Sequence, residues 1–232
     1  MAKKSNRSKT KTKDAQQKAD VGVGNGTAEA SESKSISPRI VAIGASAGGL
    51  EPVEKFFDSM PIESGLAFVV IQHLSPNFDS MMDELLARHS SMRIEIVQDG
   101  MKIEPNAIYL NRPRTEIHLD GDRFDVRSMG DFDGLHLPIN AFFKSLAHFR
   151  GHESIGVILS GTGSDGTIGC EAIKNTNGAV FVQEPNSAKF DGMPSSVIAR
   201  DLADAIDKPE ALPALVLRHF RGETLPSLPT EL

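Results

Sequence analysis

Cysteine is nearly missing from this chain. Cys170 is the only one in 232 residues, so no internal disulfide can form, and a reducing cytoplasm is the expected compartment. No apolar run approaches the ~20 residues of a membrane-spanning helix. The basic N-terminus lacks the apolar segment of a secretory signal. Membrane insertion and export are therefore not expected. Positive charge is also short, with a formal net charge of −6. What there is crowds into the start, where Lys3, Lys4, Arg7, Lys9, Lys11, Lys13 and Lys18 face only Asp14 and Asp20. This predicts a disordered basic leader over 1–37 ahead of an acidic body. The body has no basic patch interleaved with aromatics, which argues against nucleic acid as its main ligand.

The remaining composition, 39% apolar, is enough for a real core. "RIVAIGA" (39–45), "LAFVVIQH" (66–73), "RIEIVQ" (93–98), "SIGVILSG" (154–161) and "AVFVQE" (179–184) read as strands. Their continuous apolar character marks parallel strands covered on both faces. Helical spacing falls between them at 50–60, 79–90, 138–150 and 167–177, the last capped by Gly178, and closing helices follow. Residues 107–128, broken at "RPR" and "DG", read as antiparallel hairpins. The expected fold is α/β: a three-layer, doubly wound, mostly parallel sheet with helices on both faces and an antiparallel hairpin insertion. The folded domain is expected over 38–221, with a flexible tail over 222–232.

Two glycine loops compete for the chemistry. "GTGSDG" (161–166) has the G-x-G-x-x-G spacing of a dinucleotide-binding turn, with Glu184 about 20 residues on. Asp165, however, puts a carboxylate where a pyrophosphate would sit, and two anions at one helix N-terminus repel. The first loop, "IGASAGGLE" (43–51), instead has the G-x-S-x-G spacing through Gly44, Ser46 and Gly48. That turn exposes a serine hydroxyl beyond a strand end, with the Ala47 and Gly48 N–H groups beside it. Ser46 as a plain helix cap is the simpler alternative.

A serine nucleophile needs a base, and the base needs an orienting group. Of seven histidines, only His73 ends a predicted buried parallel strand, and Asp165 follows another. Ser46, His73 and Asp165 thus all lie between a strand and a helix, positions that converge on the carboxyl edge of a parallel sheet. Taken singly, His73 as a strand-end histidine and Asp165 as an N-cap stay open.

With these residues in hand, "VAIGASAGG", "VVIQHLSP", "VILSGTGSDG" and "DGMP" (191–194) together are similar to the catalytic domain of the chemotaxis protein-glutamate methylesterases, the CheB type. The likeness covers about 38–221. It implies Ser46 as nucleophile, His73 as base and Asp165 as its partner. It also implies hydrolysis of γ-glutamyl methyl esters on chemoreceptor-type proteins, often with glutamine deamidation, and no metal or organic cofactor. Ala47, Gly48 and Thr162 are then expected at the oxyanion, with Gly192 and Met193 flanking the substrate. The family more often has threonine at Ala47 and methionine at Thr162, and its arginines are absent from 77–86. The leader is shorter than the receiver domain that usually precedes this catalytic domain. The chain looks most like the methylesterase-like modules fused to methyltransferase and sensor domains. Asp131, Asp133 and His136 form a weak metal pattern, better read as a substrate-facing loop. Met81, Met82, Leu85 and Leu86 read as core and helix face. A dinucleotide-binding protein and an interaction module without turnover are the competing functions.

Overall fold

The computed structural model describes residues 37–73, 81–128 and 136–228. The expected basic leader, together with Asp131 and Asp133, lies outside them. Seven strands form one all-parallel sheet: β1 (Arg39–Ala45), β2 (Leu66–Gln72), β3 (Arg93–Ile96), β4 (Ala107–Leu110), β7 (Ile155–Ile158), β8 (Ala179–Gln183) and β9 (Ala205–Asp207). Their order is β3-β4-β2-β1-β7-β8-β9. A separate antiparallel hairpin pairs β5 (Thr115–Asp120) with β6 (Arg123–Ser128).

Alternation along the strands explains the three layers. Ile40 and Ala42 of β1 point into one cluster, with α3 (Pro138–Arg150), α4 (Thr167–Asn175), α5 (Gly192–Ile198) and the hairpin. Val41, Ile43 and Ala45 point into the other, with α1 (Leu50–Ser59), α2 (Met82–Leu86) and α6 (Leu212–Phe220). Phe57 of α1 meets Phe68 of β2 edge-on, 5.4 Å between ring centres. Such pairs add about 1 kcal/mol beyond the burial of the rings.

Several expectations need correcting. "AIYL" is no hairpin strand: β4 pairs in parallel with both β2 and β3, and all four of its residues are buried, as two covered faces require. Of the helix expected over 79–90, positions 79–80 lie outside the described residues and α2 takes only five of the others; Met82 and Leu86 are buried, whereas Met81 is exposed. The strand expected over 154–161 ends at Ile158, because Ser160 turns its N–H to the Gln183 side chain. Asn177, not Gly178, takes the left-handed turn after α4, at φ 61°. Gly178 is glycine because a Cβ there would lie 2.6 Å from the Ser154 carbonyl oxygen. Beyond α6, Arg218 donates to the Thr224 carbonyl and Leu225 packs on the second cluster.

Cys170 is fully buried, and burial pushes its thiol far above the ordinary range, which keeps it neutral and inert. His219, edge-on to Phe181, is pushed below its ordinary value by burial, against the pull of Asp204. Above about pH 6.5 its imidazole is neutral whether the chain is folded or not. As pH falls, the unfolded chain takes the proton first, so stability is lost toward acid. The urea midpoint is expected to drop between pH ~7.5 and ~5.5, and to drop less in His219→Gln.

Candidate functional site

The topology itself makes a crevice. The chain leaves β1 for β2 on one side and later returns to β7 on the other. Open parallel sheets bind ligands at such a switch point, at the carboxyl ends of their strands. Ser46 follows β1, His73 follows β2, and Asp165 lies in the loop from β7 to α4.

These three side chains meet. Ser46 Oγ is 2.9 Å from His73 Nδ1, and His73 Nε2 is 2.8 Å from Asp165 Oδ2. An ionised carboxylate only accepts, so the ring proton sits on Nε2 and leaves Nδ1 to accept the Ser46 hydroxyl. The Asp165 side chain is only 2% exposed, against 33% for His73. A carboxylate so buried has to be fully partnered. Besides His73, it accepts N–H bonds from Ile139 and Asn140 in the first turn of α3, and from Gly166. The positive end of α3 therefore holds the anion. Asp165 is thus not the cap of its own helix: Gly166 occupies that place in α4, at φ 95°.

The loop carrying Ser46 is built for close approach. Gly48 takes φ 68°, and its Cβ would lie 2.9 Å from Lys189 Cβ, so this position needs glycine on both counts. Ser46 itself is not among the described residues with positive φ. A Cβ on Gly161 would lie 2.1 Å from Met193 Sδ and 2.9 Å from Ser46 Cβ. The second glycine loop thus packs tightly against the serine, while Asp165 fills the anion position at the helix ends. That leaves no place for a pyrophosphate, and the dinucleotide reading fails on geometry.

The other expected residues divide. Thr162 is exposed beside the crevice, and among the described residues neither its N–H nor that of Ala47 has a hydrogen-bond partner. Met193, expected to flank the substrate, is wholly buried beneath Gly161; its N–H donates to the Gly161 carbonyl, so its side chain supports the loop from below. Gly192 presses on the same loop, where a Cβ would lie 2.9 Å from Gly163 N. His136 lies with its Nε2 3.9 Å from Glu116 Oε2, and burial pushes its imidazole below the ordinary value, against the opposing carboxylate. Among the described residues no group of His, Cys, Asp and Glu is arranged to hold a metal.

Three residues escaped the sequence reading. Asn111, after β4, accepts from the Gln72 N–H and donates to the Gln72 carbonyl, fixing the end of β2 beside His73. The Ser160 hydroxyl donates to the Ala47 carbonyl and accepts the Phe190 N–H, tying the Ser46 loop to the segment before α5. Asn140 is the third. The only sequence signal for Asn111 and Ser160 is a polar residue directly after an apolar strand.

Comparison with known proteins shows the family. The CheB methylesterase family profile matches residues 41–216. A protein-glutamate methylesterase/protein-glutamine glutaminase of Methanosarcina mazei is 30% identical over 178 residues, 72% of this chain and 48% of that protein. One from Anaeromyxobacter dehalogenans is 30% identical over 176 residues, 75% of this chain and 52% of that protein. The chain thus spans about half the length of these curated relatives. The crystal structure of the Thermotoga maritima CheB methylesterase catalytic domain superposes with a TM-score of 0.74 at 24% identity, covering 79% of this chain and all of that one. It supports the fold.

Proposed function

Because the chain belongs to the CheB methylesterase family, we propose that it is a serine hydrolase that removes methyl esters from glutamate side chains of chemoreceptor-type signalling proteins. Glutamine deamidation is the matching side activity, since it attacks the same carbonyl with ammonia as leaving group. The observation that carries this reading is the continuous relay from Ser46 through His73 to Asp165, at 2.9 and 2.8 Å.

The steps follow from the contacts. Ser46 Oγ attacks the ester carbonyl while His73 Nδ1 takes its proton. The imidazolium is stabilised by Asp165 through Nε2–H, and the anion is itself held by three backbone N–H groups. The tetrahedral oxyanion takes the open N–H groups of Ala47 and Thr162. His73 returns the proton to the departing methoxide, giving methanol and an acyl-enzyme. Water then enters and bonds the acyl carbon while giving a proton to Nδ1; the bond to Ser46 Oγ breaks, Nδ1 returns that proton to Oγ, and the glutamate carboxyl leaves. Compared with the usual Ser-His-Asp template, the ring nitrogens exchange duties: the serine meets Nδ1 and the carboxylate meets Nε2. No described helix is long and apolar enough to cross a membrane, which fits action from the cytoplasm on a cytoplasmic partner segment.

A fluorophosphonate probe tests this directly. Mass spectrometry is expected to find one covalent adduct, on Ser46, which disappears in His73→Ala. An unlabelled Ser46 in the folded protein would overturn the proposal and favour an interaction module without turnover.

A further inference from the structure

The carboxylate of the relay depends on a neighbour that has no part in the chemistry above. Asn140, in the first turn of α3, is only 4% exposed. Its side-chain Oδ1 accepts the N–H groups of Gly166 at 3.1 Å and Gly169 at 2.7 Å, both at the start of α4. Its own backbone N–H donates to Asp165 Oδ1 at 2.9 Å. Two N–H donors on one atom fix that atom as oxygen. The helices therefore cap each other: Asp165, preceding α4, closes the N-terminus of α3, while Asn140 of α3 closes that of α4. Gly169 allows this proximity, since a Cβ there would lie 2.5 Å from Phe143 Cβ and 3.2 Å from Asn140 Cα.

We propose that Asn140 is a positioning residue for the triad, fixing the Asp165 carboxylate in line with His73 by clamping the start of α4 to the start of α3. The inference rests on reading Ser46, His73 and Asp165 as a catalytic set. Two physical points give it force. Asp165 lies directly before Gly166, so releasing Gly166 frees the carboxylate to turn from His73. Asn140 is also neutral: the Gly166 N–H is shared between Asn140 Oδ1 and Asp165 Oδ1, so a charge at 140 would sit directly beside Asp165. The other titratable groups around the set, among the described residues, are His136, just ahead of α3, Glu116 on β5, and the buried, neutral thiol of Cys170 on α4, which feels the charge of Asp165.

The test follows the His73 ring signals by NMR across pH, and separately the rate of Ser46 labelling by a fluorophosphonate. In Asn140→Ala the carboxylate is no longer clamped. The His73 midpoint is expected to move to lower pH, and labelling to slow by about 10²-fold, the usual consequence of a displacement near 1 Å. Asn140→Asp keeps both acceptor bonds and the fold but adds a negative charge beside the pair. Its midpoint is expected to move to higher pH by about one unit or more. A purely structural residue would alter the unfolding midpoint and leave the His73 titration in place. Should Asn140→Ala fail to fold, Asn140→Ser, whose short hydroxyl cannot reach both N–H groups, takes its place in the same two measurements. Wild-type titration and labelling in the folded clamp variant, or an unmoved His73 midpoint in Asn140→Asp, overturns the positioning role. Absence of labelling in the wild-type protein sinks the catalytic reading instead, and the titration still judges Asn140.

Discussion

Ser46→Ala is expected to lower kcat for ester hydrolysis by at least about 10⁴-fold while leaving the thermal midpoint within about 3 °C of wild type. The two halves have separate causes. The rate falls because no other nucleophile lies in line with His73 Nδ1, and what survives comes only from the oxyanion donors and binding. Stability is spared because the side chain is part-exposed and its hydroxyl makes a single hydrogen bond, to His73. Removing such a partly solvated bond costs about 1 kcal/mol at most. Kinetics on a methyl ester substrate, with calorimetry on the same preparation, checks both halves at once. Wild-type turnover in the variant would end the serine mechanism.

Asp165 is expected to behave differently, because it serves both chemistry and fold. Asp165→Asn should reduce kcat by about 10⁴-fold, since an amide neither stabilises the imidazolium nor enforces the Nε2–H tautomer. Asp165→Ala should lose comparable activity and also destabilise the domain by about 3 kcal/mol, as the N–H groups of Ile139, Asn140 and Gly166 lose their shared acceptor. Denaturant titration of the two variants beside Ser46→Ala separates the roles. The expected order of stability is Ser46→Ala first, Asp165→Asn next and Asp165→Ala last. Equal stability in all three would show that the carboxylate is not what holds the first turn of α3.

The sequence made the relay legible through position more than motif. Ser46, His73 and Asp165 each come just after a run of apolar residues long enough to read as a covered strand, so parallel topology alone brings them to one edge. Elements without that signal were harder. β4 is four residues long and is followed, after Asn111, by "RPR", which imitates a hairpin break. β9 has three residues and no apolar run, so its place at the sheet edge comes from pairing with β8. Met193 was assigned from its neighbours in "DGMP", but an apolar side chain beside a cleft gains more by packing beneath it. Asn111, Asn140 and Ser160 act through side-chain bonds to backbone groups distant in the chain. Bonds of that kind leave no periodicity in sequence.

Ser46 and His73 lie 27 positions apart, and Asp165 follows another 92 on. During synthesis, a ribosome therefore releases a chain that carries hydroxyl and imidazole well before the anion, its helix clamp and the central strand β7 exist. Under the proposed mechanism, nascent chains stalled short of that point lack the carboxylate of the relay, and hydrolysis waits until most of the domain has been translated.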